Sequence, residues 1–181
     1  MTIPSDYYEL LGLPRRLSLS QDDLQQRFYE LSRKWHPDRF ARQPEAERRY
    51  ALDFSSQLND AYRSLRDPIK RAEYVLKQEG FDIGEQRSKD VPPELLEEVF
   101  ELNMALEELR SGDESVRPQL LEARNKFLAM LSEIDQQIES QFAAFDQNQS
   151  RDALLEIRNL LNRRKYIQNL IGQVSEPSVA A

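Results

Sequence analysis

The chain has one histidine, His36, followed directly by Pro37 and Asp38, and it has no cysteine. The chemistry open to such a set is narrow. One imidazole and no thiolate cannot assemble a zinc or iron–sulfur ligand set, so no metal and no other cofactor is expected. No nucleophile is paired with the histidine and no glycine-rich loop is present to cradle a phosphate, so the chain does not read as an enzyme. His-Pro-Asp can instead present charge. Proline pushes the residue before it out of the α region, so a helix arriving at His36 must stop, leaving imidazole and carboxylate on an exposed corner. Alone the tripeptide is also an ordinary turn, because proline sets φ and aspartate bonds nearby amides. Its neighbours decide between the two.

Before the corner, Leu24, Phe28, Leu31 and Trp35 repeat at i, i+4, i+7 and i+11, one apolar face of a helix. Ser20 can cap that helix, and Asp22 and Asp23 suit its positive N-terminal end. Arg27 and Lys34 flank the apolar stripe and Arg33 points away from it. After Pro44 a second helix is expected over Glu45 to about Arg66, with Tyr50, Phe54, Leu58, Ala61 and Leu65 on one face. Upstream, Asp6 or Ser5 can cap a short helix, YYELL, that Gly12 ends in a left-handed turn, with Tyr7, Leu10 and Leu11 packing inward. Downstream, Asp67 and Pro68 open PIKRAEYVLKQEG, which Gly80 stops and which buries Ala72, Val75 and Leu76. A basic helix, a His-Pro-Asp corner and an antiparallel return helix resemble the J-domain of co-chaperones that stimulate heat-shock-70-type ATPases.

Composition agrees with a helical protein: 31% of residues are charged, 39% hydrophobic, and only five are glycine. No apolar run approaches the length of a membrane span, and the N-terminus carries neither a secretory nor a transit pattern, so no membrane association and a cytoplasmic location are expected. The net charge of −7 is uneven. Residues 1–80 carry 14 Lys and Arg against 13 Asp and Glu, whereas residues 81–181 carry 11 against 19. The acidic half argues against nucleic acid as the main partner, and a basic helix in a balanced half suits an acidic protein surface.

Residues 81–93 hold a glycine, two prolines and no apolar period, and read as a linker, with Phe81 and Ile83 able to pin it locally. Three helical patterns follow: Glu94 to Arg110, Ser115 to about Phe145, and Arg151 to Val174. Val116, Leu120, Phe127, Leu131, Ile134, Ile138 and Phe142 line the second, and Ile157, Leu160, Leu161, Ile167, Ile171 and Val174 the third. Short connections make them antiparallel neighbours in a bundle. The expected organisation is all-α: an N-terminal J-domain over 1–80, a linker over 81–93, an antiparallel three-helix bundle over 94–174, and a frayed tail over 175–181.

The first bundle helix carries two apolar stripes. Leu95, Val99, Leu102, Leu106 and Leu109 make a seam at four- and three-residue steps. Leu96, Phe100 and Met104 form a second row, roughly 100° to 180° from the first at about 100° per residue, bordered by Glu97, Glu101 and Glu108. Leu155 and Tyr166 also fall outside the main apolar side of the third helix. Since one buried face suffices for a bundle helix, the second row is a candidate partner surface. The alternative is that it packs on the J-domain or widens the core.

HPDRF, SSQLNDAYRSLRDPIKRAEYVLKQEGFD and the acidic helical half together resemble the HscB family, the J-domain co-chaperones of iron–sulfur cluster biogenesis, over about residues 6–171. The resemblance implies two partners: a heat-shock-70-type ATPase chaperone (HscA-like) and an iron–sulfur scaffold protein (IscU-like). The chaperone would meet His36, Pro37, Asp38, Arg27, Arg33 and Lys34, with Asp38 accepting a charge-assisted hydrogen bond from a chaperone arginine. The scaffold would meet Leu96, Phe100, Glu101, Met104, Glu108 and Tyr166. Met104 stands where family members often have glutamate, and Glu97 where some have an apolar residue, so this patch is rearranged. Rival readings are a J-protein for general clients, which usually carries glycine- or cysteine-rich β-domains lacking here, and a structural helical adaptor, which would leave a partner's ATPase rate unchanged.

Overall fold

The structure is a computed structural model that describes residues 2–82 and 93–175, and every regular element among them is helical. It divides into two compact units, Met1–Phe81 with Phe142–Arg151, and Asp82–Gln141 with Asp152–Ala181. The middle of the expected linker, 83–92, and the tail from 176 lie outside the described residues.

In the first unit α1 is Tyr7–Leu11, α2 Gln21–Lys34, α3 Glu45–Arg66 and α4 Pro68–Gln78. The caps are those that side-chain chemistry requires. Asp6 accepts from Glu9 N–H at 2.9 Å, Ser20 from Asp23 N–H at 3.2 Å, and Asp67 from the amides of Ile69 and Lys70 at 2.9 and 3.0 Å. Gly12 closes α1 with φ +64°, a conformation that favours glycine, and a Cβ there would stand 2.6 Å from an Arg27 guanidinium nitrogen, the end of a flexible side chain that would have to shift. α2 and α3 run antiparallel: Phe28 stacks on Tyr62 with centroids 4.2 Å apart, and Trp35 meets Tyr50 and Phe54 at 5.1 and 5.3 Å. Leu24, Phe54, Leu58, Ala61, Leu65, Ala72, Val75 and Leu76 form the core. In α1 it is Tyr8 that is buried, its hydroxyl donating to Arg16 C=O at 2.9 Å; Tyr7 stays half-buried, stacked on Tyr74.

Two polar side chains tie the loop before α2. Arg71 is only 2% exposed; its Nε donates to Leu65 C=O at 2.7 Å and its Nη1 to Leu17 C=O. Asp146 accepts from the amides of Leu17 and Ser18 at 2.7 and 2.8 Å. Residues 142–151, which the sequence pattern groups with the three-helix half, thus supply part of the first unit, and Phe142 and Phe145 are buried.

The remaining helices are α5, Leu96–Arg110, α6, Arg117–Asn148, and α7, Arg151–Val174. Short 3-10 turns at Pro93–Leu95 and Glu114–Val116 precede α5 and α6. Cross-helix pairs fix the antiparallel order in the second unit. Lys126 meets Glu98 at 2.9 Å near the start of α5, Arg164 meets Asp135 at 2.6 Å, and Arg124 donates to Ser175 at 3.2 Å. The core takes Leu95, Leu102, Ala105, Leu106 and Leu109, with Leu120, Phe127, Ile134 and Ile138 of α6 and Leu154, Ile157, Leu160, Ile167, Leu170 and Val174 of α7. Val99, Leu131, Leu161 and Ile171 are half-buried, at the edge of the buried sectors. No helix among the described residues is long and apolar enough to cross a membrane.

Candidate functional site

The His-Pro-Asp corner is built by the end of α2. The helix stops at Lys34, Trp35 N–H still donates to Leu31 C=O at 2.9 Å, and His36 is extended at φ −61°, ψ 129°. Pro37–Phe40 then forms one 3-10 turn, with proline in its first position. His36 Nδ1 accepts from Asp38 N–H at 3.3 Å and lies 3.5 Å from the Asp38 carboxylate. The Asp38 side chain is 90% exposed, an acceptor-only group presented to solvent.

The basic residues expected around it fall into two kinds. Arg33 and Lys34 are exposed in the last turn of α2, where their charge complements the carboxyl end of the helix. Arg27 is engaged locally: its Nε donates to Leu11 C=O at 3.1 Å and its Nη1 pairs with Glu30 at 2.9 Å. The hydrogen bond from Gln26, and then that from Arg27, hold the Glu30 carboxyl below its ordinary value.

The second candidate surface lies on α5. Phe100 is 65% exposed, Leu96 55% and Met104 49%, while Leu95, Leu102 and Leu106 on the same helix are buried. Among the described residues the row is not part of a core. Glu97, Glu101 and Glu108 are exposed beside it. Glu101 also lines an open pocket of about 200 Å³ between α5 and α6, together with Leu102, Leu120, Phe127 and the paired Lys126 and Glu98. Hydrogen bonding to Lys126 holds Glu98 below the ordinary carboxylate range. Tyr166 is half-buried on α7, and that burial raises its phenol pKa above the ordinary value. Among the described residues no ring contact joins it to Phe100. Leu155 is exposed on α7, and Leu121 and Leu128 are exposed on α6, a pair that the periodicity did not single out. They neighbour Leu120 and Phe127 in sequence, so their side chains leave the helix about 100° from the buried ones.

A capped hairpin of two antiparallel helices joined by a solvent-facing His-Pro-Asp corner defines the first unit as a J-domain. The DnaJ domain family matches residues 6–74, and the HSCB C-terminal oligomerisation domain family matches residues 91–175. Over 170 residues the chain is 32% identical to the co-chaperone protein HscB homolog of Vibrio atlanticus (strain LGP32), covering 93% of this chain and 94% of that one. Among solved structures, chaperone HscB from Vibrio cholerae aligns with TM-score 0.62 at 30% identity, over 93% of this chain and 94% of that one. Human co-chaperone protein HscB aligns with TM-score 0.70 at 25% identity, over 100% and 86%. The chain belongs to the HscB co-chaperone family.

Proposed function

We propose that this co-chaperone stimulates a heat-shock-70-type ATPase of the HscA kind and delivers to it an IscU-like iron–sulfur scaffold protein, in support of cluster assembly and transfer. One observation carries the reading. A single chain displays an exposed carboxylate on a J-domain corner and, on a helix of the HscB-type half, an exposed apolar row edged by glutamates. The two surfaces have different chemistries, as two different partners require. Asp38 accepts a charge-assisted hydrogen bond from a chaperone arginine, while Arg33 and Lys34, with Arg27 behind them, attract an acidic chaperone surface. Leu96, Phe100 and Met104 supply apolar anchors to the scaffold, with Glu101, Glu108 and Tyr166 at the rim. Holding both partners on one chain raises the local concentration of scaffold at the chaperone.

The test is direct. The full chain is used as bait against purified scaffold and purified chaperone, and the chaperone's ATP turnover is followed with and without each. Binding of both and a rate increase greatest with both present are expected. A protein that binds neither and leaves ATP turnover unchanged is a helical adaptor instead.

A further inference from the structure

The corner is not held by His36-Pro37-Asp38 alone. Phe40, the last residue of the 3-10 turn, lies back against Trp35, which caps the end of α2, with ring centroids 5.4 Å apart and planes 12° from parallel. Trp35 is in turn fixed from below by Tyr50 and Phe54 of α3. Between Asp38 and Phe40, Arg39 turns back the other way, and its Nη1 donates to Arg33 C=O at 2.9 Å. That carbonyl is in the last turn of α2, where carbonyls lack intrahelical partners. Arg39 is itself exposed, so the bond is a tie across the corner and not part of a core. The turn carrying Asp38 is therefore gripped at both of its following residues, by a ring stack and by a hydrogen bond, and both grips end on α2 or its immediate continuation.

A carboxylate that is 90% exposed has nothing of its own to fix its direction. The His36 imidazole beside it, 3.5 Å away, accepts the Asp38 amide proton. We propose that Arg39 and Phe40 are positioning residues: the Arg39–Arg33 bond and the Phe40–Trp35 stack set the 3-10 turn on the end of α2 and thereby aim Asp38 at its partner group. This rests on the docking role proposed for Asp38. It assigns a task to two residues that follow the motif and touch no partner in that reading. Pre-set geometry matters because a contact made by one charged group depends on distance and direction, and a loosely held group must be ordered at each encounter.

Trp35 is the only tryptophan, so its emission reports the stack without any label. The experiment compares the full chain with D38N, R39A, R39K, F40A and F40Y, reading maximal stimulation of a purified heat-shock-70-type ATPase at saturating co-chaperone, Trp35 emission, and the thermal midpoint. F40A is expected to change Trp35 emission and to lower maximal stimulation about tenfold, F40Y to keep both, and R39A to lower stimulation about tenfold with R39K restoring much of it. The exposed Arg39 keeps the test independent of folding should F40A lower the midpoint. If R39A and F40A both stimulate within about twofold of the unaltered chain while D38N is inactive, the clamp is overturned and the docking role stands. If R39A raises only the concentration needed for half-maximal stimulation, Arg39 acts by charge attraction and the proposal for it is overturned. If D38N itself stimulates fully, the docking role fails and takes the clamp's task with it.

Discussion

The J-domain corner and the outer row of α5 present opposite kinds of surface by opposite means. At the corner a proline breaks a helix, and one turn of backbone puts a carboxylate almost wholly into solvent. On α5 the helix is unbroken, and a second set of apolar residues on the outward sector puts Leu96, Phe100 and Met104 into solvent. The first offers direction and charge, which govern encounter and a single strong polar contact. The second offers area, which governs how long a partner stays. In the proposed function, one protein is held while another is briefly engaged, and each surface suits one of these tasks.

The comparison breaks first at Asp38. Asp38→Asn keeps the volume and removes the charge, and is expected to abolish stimulation of the chaperone's ATPase at unchanged helix content by circular dichroism; a fully active variant would leave the corner without its assigned contact. Next in size is the outer row. Changing Leu96, Phe100 and Met104 together to alanine is expected to weaken scaffold binding by roughly a hundredfold, about 2.7 kcal/mol, since apolar anchors at interfaces cost upward of about 1 kcal/mol each and are not additive. The denaturant midpoint should hardly move, because alanine is a good helix former and the row is exposed, and ATPase stimulation in the absence of scaffold should survive. A midpoint lowered as by a core truncation, about 2–5 kcal/mol each, would return the row to the interior.

A smaller effect is expected at Asp146. Asp146→Ala leaves the Leu17 and Ser18 amides without their acceptor and should lower stability by about 1–3 kcal/mol in urea unfolding. An unchanged midpoint would mean that residues 142–151 are dispensable to the first unit. The smallest effect sharpens the contrast of charge with area. Raising salt shortens the screening length from about 10 Å at 0.1 M to about 3 Å at 1 M, so chaperone association should slow several-fold while scaffold binding changes less. Equal salt dependence at the two surfaces would erase the distinction drawn between them.

Much of this was legible from residue order. The caps at Asp6, Ser20 and Asp67, the stops at Gly12 and Gly80, and the break at His36-Pro37 are local chemistry, settled by side chains within a few residues of the backbone groups they serve. The doubled stripe of α5 was legible too, because a period of 3.6 residues assigns sectors without knowing what fills them. Sector alone did not distinguish half-buried Val99, Leu161 and Ile171 from buried Leu154 and Leu170, since the width of a buried sector depends on how closely the neighbouring helices approach. Nor could it show that Arg27, on the basic helix, spends its guanidinium on Leu11 and Glu30.

The sequence by itself therefore determined the helices, the ends of the first four, the corner, and which faces are apolar, because each of these follows from interactions spanning at most a few turns; α5 and α6 begin two residues later than expected, after 3-10 turns, and α6 runs on to Asn148. Only the tertiary structure decided that Arg71 is buried against Leu17 and Leu65, that Asp146 reaches Leu17 across 129 residues of chain, and that Arg39 bonds back to Arg33 over the corner. Charged side chains carry no periodic mark that says whether they will meet water or a carbonyl. That choice is made when distant segments close around them and an unpaired backbone group is left that only they can reach.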